Sequence, residues 1–212
     1  MATNIATRRT VSEIPEPPIA RFLFADTRLA PLWLIIRLYV GYEWLMAGYE
    51  KIVNPAGVWV GPKAGAAITG FVQGALKKTT GEHPDVTGWY ASFLQNIVLP
   101  NAALWSYMVA IGEVLVGLGL IVGLFTGIAA FFGGLMNANY LLAGTVSSNP
   151  ILFILASWLV LAWRVAGYWG LDRWALPLLG VPGAAGTLFR RNTAAPADER
   201  VATSSSQRGS RL

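Results

Sequence analysis

The chain has 212 residues, of which 54% are hydrophobic and 13% charged, with a formal charge of +5. Soluble domains carry about 25% charged residues, so this balance points to a bilayer rather than to a water-soluble core. Cys is absent and His83 is the single histidine, which excludes disulfides, iron–sulfur clusters, Cys-ligated metals and a bis-His haem within one subunit; no metal site or haem ligand set is expected.

The chain opens on a polar segment, 1–29, with "EIPEPP" at its centre. No apolar run follows Arg8 and Arg9, so neither a secretory nor a twin-arginine signal is expected. Four apolar segments follow, near Pro31–Gly48, Leu104–Phe125, Gly127–Ala143 and Pro150–Trp169. Each approaches the ~20 residues that cross a hydrocarbon core at 1.5 Å per residue. The expected fold is an all-α integral membrane protein, a bundle of four transmembrane helices within residues 30–182. "FTGI" joins the second and third as a tight hairpin, and "GTVSSNP" turns the chain into the fourth, with Pro150 suited to a helix start.

Between the first two spans lies a long insertion, 52–103. In "AGAAITGFVQGALKK" the residues Ile68, Phe71, Val72 and Leu76 share a helical face; in "VTGWYASFLQNIVLP" Trp89, Phe93, Ile97 and Val98 do so. Two short amphipathic helices at the outer surface are expected, able to roof a cavity. After Phe189 the chain is poor in apolar residues and rich in Ser, Ala and Arg, so 183–212 is read as a disordered tail.

Arg8, Arg9, Arg21 and Arg28 precede the first span and most remaining arginines follow the fourth, whereas the insertion side holds only Lys51, Lys63, Lys77 and Lys78. Positive charge marks the cytoplasmic side, so a multi-pass protein of a bacterial or archaeal plasma membrane with both termini cytoplasmic is expected. The same bias accounts for the net charge, and no nucleic-acid partner is needed.

Charges inside the spans carry the functional signal. Counted from the inner helix ends, Glu43 and Glu113 both lie roughly 18 Å up, and Asn137 and Asn139 roughly 16–19 Å up. Arg37 sits lower. At 100° per residue Arg37, Gly41, Trp44, Gly48 and Lys51 share a face of the first helix, and Gly133, Asn137, Tyr140 and Gly144 align on the third. An ion in hydrocarbon must pair, protonate or face water. Glu113, Glu43 and Arg37 are therefore the candidate catalytic residues, and Asn137, Asn139 and Tyr140 the candidate ligand-binding ones. The plainer alternative is that Glu113 bonds Asn137 or Arg37 and only locks the bundle.

The stretches "IRLYVGYEWLMAGYEKI", "AIGEVLVGLGLIVGLFTGIAAFFG", "NANYLLAGTVSSNP" and "LAWRVAGYWGLDRWALPLLG" resemble the DoxX/DoxD family, in particular the DoxD-like membrane subunit of thiosulfate:quinone oxidoreductase. The resemblance implies a four-helix membrane protein linked to quinone chemistry, quinone as electron acceptor, membrane lipid as its surroundings, and a small partner subunit or larger redox complex. A quinone-linked oxidoreductase subunit, with thiosulfate as a donor of the family's kind, is the first functional expectation. A non-catalytic structural or assembly subunit is the second. A small-solute carrier is disfavoured, because neither an inverted repeat nor a broken span is visible.

Overall fold

The computed structural model describes residues 16–181. Residues 1–15 and 182–212, the latter holding the tail expected to be disordered, lie outside the described residues. Among the described residues every regular element is helical: α1 (Pro18–Ala25), α2 (Ala30–Ile52), α3 (Ala66–Leu76), α4 (Gly88–Phe93), α5 (Ala102–Val122), α6 (Thr126–Leu142), α7 (Asn149–Leu161), α8 (Trp163–Ala166) and α9 (Asp172–Leu178). The chain divides after Ala175, and the site described below lies before that point.

The segment expected to be merely polar contains a helix. α1 starts at Pro18, where a missing N–H costs nothing, and exposes Ile19, Phe22 and Leu23. Asp26 then accepts from the Arg28 backbone N–H at 2.9 Å and receives the guanidinium as well. That side-chain hydrogen bond holds the Asp26 carboxyl down to about 2. The indole N–H of Trp33, on α2, donates to the Leu23 carbonyl at 2.8 Å and fixes α1 to the next helix.

α2 is 23 residues long, outrunning the expected end at Gly48, because Tyr49 to Ile52 carry no breaker. It packs chiefly on α5, and α6 chiefly on α7. Small residues allow the α2–α5 approach: a Cβ at Gly41 would touch Leu120 and Ile121, one at Gly48 would meet Val114, and one at Gly117 would overlap Leu45. The expected fourth span is divided at Ala162 into α7 and α8. One continuous helical stretch, Gly88–Val122, is long and apolar enough by length and composition to cross a membrane.

That stretch also revises the insertion. The helix leading into α5 begins at Gly88, passes a π-helical turn at Leu94–Val98 and continues through Pro100. Of the residues expected on its inward face, Val98 is buried and Phe93 packs against the core, whereas Trp89 and Ile97 are 65% and 51% exposed and Tyr90 and Leu94 are buried in their place. Tyr90 decides this, because its hydroxyl donates to the Asn139 carbonyl on α6 at 2.9 Å. α3 buries Ile68 and Val72 as its periodicity requires. Together these pieces form a second apolar cluster, including Ala143 at the end of α6 and flanked by Trp105 and Val109 of α5.

Candidate functional site

Two cavities meet at a pair of aromatic side chains. The larger, about 920 Å³, runs between α5 and α6 and under the insertion. Its walls are almost wholly apolar, with Gly112, Leu115, Ile128 and Phe132 along the helices and Phe93 and Val98 above; Tyr90, Asn139 and Tyr140 are the polar groups on its lining. The smaller, about 310 Å³, lies between α2, α5, α6 and the start of α7, lined by Glu43, Trp44, Lys51, Glu113, Asn137 and Tyr140. Its other lining includes Trp59 of the insertion, Thr145, Ser147 and Ser148 of the α6–α7 turn, and Asn149 at the start of α7. Tyr140 and Phe71 border both cavities and meet edge to face at 6.0 Å, so they form the partition.

Glu113 is the centre of this arrangement and is 1% exposed. The Tyr140 hydroxyl donates to its Oε1 at 2.7 Å. Lys51 Nζ lies 2.6 Å from Oε2. At that distance the ammonium and Oε2 form a close ion pair joining α2 to α5. The Lys51 ammonium also donates to the Ala47 carbonyl at 3.3 Å and sits 5.0 Å above the Trp59 ring. Trp59 is itself anchored, its carbonyl accepting from Ser106 Oγ at 2.7 Å. Asn137 is fully buried, and neither its amide N nor its amide O has a protein partner. A group that is buried and unpaired in this way costs free energy unless something polar occupies the space beside it.

Of the candidate residues from sequence, Glu43, Glu113, Asn137 and Tyr140 converge on the smaller cavity, and Asn139 lines the larger one. The plainer alternative paired Glu113 with Asn137 or Arg37; its partners are Tyr140 on α6 and Lys51 on α2, the helices of the third and first expected spans. Arg37 is absent from the lining of both cavities. It is 1% exposed and its Nη2 donates to the Trp169 carbonyl at 3.4 Å. A Cβ at Gly123 or Gly170 would overlap its guanidinium. Asp172 stands at the same junction, where its two oxygens accept from the backbone N–H groups of Phe125 at 2.6 Å and Thr126 at 2.9 Å, capping α6. This is an anion on a helix N-terminus, and Arg37 belongs with it as a positioning group rather than with Glu113. Lys51, counted from sequence only among the insertion-side lysines and on the Arg37–Gly48 face, is the residue that pairs with Glu113. The signal that finds it is its place three residues after Gly48, on the stripe that touches α5.

The DoxX family profile matches residues 32–144. The chain belongs to the DoxX family. DoxX is a membrane family associated with redox and quinone-linked complexes, and its match runs from the start of α2 to the end of α6, covering both cavities apart from the α6–α7 turn, Asn149 and Leu152. No curated protein and no solved structure matches the chain.

Proposed function

We propose that this DoxX chain is the membrane subunit of a quinone-linked oxidoreductase, crossing a plasma membrane four times through α2, α5, α6 and the α7–α8 pair, with both termini cytoplasmic. The observation that carries the reading is the double role of Tyr140, which borders an apolar groove and is hydrogen-bonded to a buried acid facing a polar cavity. Quinones require an apolar channel for the isoprenoid chain and hydrogen-bonding groups for the head; the groove supplies the first, and Tyr90, Asn139 and Tyr140 the second. A quinone, when bound, contributes two oxygens that gain or lose protons as electrons move. Tyr140 is the group that passes such protons, since its hydroxyl already donates to Glu113 and its oxygen can accept from the groove side. Asn139, whose amide N donates to the Leu135 carbonyl at 2.8 Å and whose Oδ1 accepts from Tyr90, holds the head-group end of the groove in shape.

Thiosulfate is the finer expectation from the resemblance. The polar cavity holds one lysine, Lys51, against two glutamates, Glu43 and Glu113, so it offers a dianion no net attraction. We therefore assign oxidation of a sulfur oxyanion to a partner small subunit docked on the outer surface, and quinone chemistry to this chain. A second reading keeps specific support: Glu113 is already paired by Lys51 and Tyr140, as a purely structural lock in an assembly subunit would be.

Quinone extracted from gently purified protein separates the two. Close to one quinone per chain is expected, and Glu113→Gln with Asn137→Leu should assemble normally while losing quinone reduction. Protein free of quinone, with assembly rather than turnover lost in the variants, would favour the structural reading.

A further inference from the structure

The polar cavity has a direction. Its mouth is formed by Ser147 and Ser148, both exposed, with Thr145 and Asn149 beside them and Trp59 of the insertion opposite. These lie past the C-terminal ends of α2 and α6 and at the start of α7. Its floor is dry. Val40, Leu120, Ala130 and Leu159, one from each of α2, α5, α6 and α7, are all at 0% exposure and belong to one apolar cluster. In sequence each stands between the residues around the cavity and those around Arg37 and Asp172. Polar groups thus communicate with one end of the bundle and are sealed from the other.

The lining also specifies an occupant. Asn137 presents an unpartnered donor and an unpartnered acceptor to the cavity it lines. A molecule that both donates and accepts satisfies the two. The formal charge of the lining, one lysine against two glutamates, is −1, which opposes an anion and favours a neutral or protonated species. The volume of about 310 Å³ holds several waters at ~30 Å³ each, and polar cavities with two or more partners per water are hydrated.

We propose that this cavity is a hydrated proton port: its waters carry protons between the Tyr140–Glu113–Lys51 cluster and the aqueous phase on the insertion side, and no other. The titratable groups facing the cluster are Glu43 and Lys51 from α2, Glu113 from α5 and Tyr140 from α6; the insertion contributes Trp59 and Phe71 and the α6–α7 turn contributes Ser147 and Ser148, which do not titrate in the working range. The identity of the protons as those of a quinone rests on the function proposed above; the port and its sidedness do not. Their consequence is that any proton taken up or released at the groove is exchanged with the insertion-side phase, so the reaction is electrically coupled to the membrane whenever its electron partner works from the other face.

The chain contains no cysteine, so single cysteines report without background. In proteoliposomes of known orientation, Ala47→Cys (cavity wall), Ser147→Cys (mouth) and Val40→Cys (dry layer) are treated with a small charged methanethiosulfonate from either side. Ala47→Cys should react from the insertion side at a rate within about tenfold of Ser147→Cys, and Val40→Cys from neither. Because the thiolate is the reacting form, the Ala47→Cys rate should rise about tenfold per pH unit of the insertion-side buffer, below the thiol pKa, and ignore the opposite buffer. An unreactive Ala47→Cys, or one that follows the opposite side's pH, overturns the port. Quinone content measured on the same preparations keeps the two ideas apart: a reactive port without quinone retains this inference and removes the quinone reading, while quinone with a silent Ala47→Cys does the reverse.

Discussion

Lys51 and Tyr140 reach the two oxygens of one buried carboxylate from different helices, Nζ at 2.6 Å from Glu113 Oε2 and Oη at 2.7 Å from Oε1. α2, α5 and α6 are thereby joined through a single acid. Removing one member of a buried ion pair strands the other, at a cost of about 3–5 kcal/mol, whereas replacing both by apolar groups of similar volume is close to neutral. Lys51→Met should accordingly lower thermal stability in detergent sharply, and Lys51→Met combined with Glu113→Leu should recover most of it. Additive losses, with the double variant losing the sum of what Lys51→Met and Glu113→Leu lose singly, would show that the pair contributes little.

Tyr140→Phe removes one hydroxyl and keeps the ring that packs against Phe71 and Trp44. The fold should survive with a loss of about 1 kcal/mol for the hydrogen bond. Quinone turnover should fall about 10²-fold or more, the scale of a positioned proton-transfer group. Turnover at the wild-type rate in a stable Tyr140→Phe protein would remove Tyr140 from the proton path.

The sequence made the helices and the polar level legible because both rest on local periodicity. Glu43, Glu113 and Asn137 could be set at one depth from helix rise alone, and they do line one cavity. Pairing was not legible, since it depends on which stripes face each other. Gly117 lets α5 close on Leu45, and Gly48 sets the same contact one turn before Lys51, which brings the lysine rather than Arg37 to Glu113. The register of the insertion was legible only in part for a similar reason. Periodicity alone ranked Trp89 with Phe93, but the long-range bond from Tyr90 to Asn139 turns Tyr90 inward in place of Trp89. The groove between α5 and α6 has no sequence signature, because it is the space left when each helix packs mainly on another neighbour.

At the opposite end of the bundle, Gly123 takes φ of 69° and leaves room for the Arg37 guanidinium. Gly123→Ala meets both obstacles, the left-handed backbone and the overlap with Arg37. A non-glycine residue held in such a conformation costs on the order of 1–3 kcal/mol, so expression and thermal stability should drop while quinone content per folded chain stays unchanged. Asp172→Ala should cost about 0.5–2 kcal/mol through the lost cap on α6, and Asp172→Asn less. Loss of quinone in folded Gly123→Ala protein would return Arg37 to the site.

Topology follows from the lysine and arginine bias. Cysteines introduced singly at Ser205 and Thr80 should react with an impermeant reagent from opposite sides of the membrane, Thr80→Cys from outside. Thr80→Cys labelling from inside and Ser205→Cys from outside would reverse the orientation and, with it, the face on which the polar cavity opens, and labelling of both from outside would break the four-span topology.

The groove itself can be filled without touching a polar group. A Cβ at Gly112 would meet only Met136 Sδ, at 3.7 Å, and Gly112 lines the groove midway along α5. Gly112→Phe therefore projects a ring into the space assigned to the quinone while leaving Glu113, Lys51 and Tyr140 in place. Replacing a helical glycine by phenylalanine also recovers a few tenths of a kcal/mol of helix propensity, so the helix should not weaken. If the groove holds quinone, co-purified quinone should fall several-fold and turnover with it, with the thermal midpoint equal to or above that of the parent. If the polar cavity alone held the ligand, Gly112→Phe would retain its quinone, and the groove would be reduced to a lipid-facing cleft between two helices that pack elsewhere.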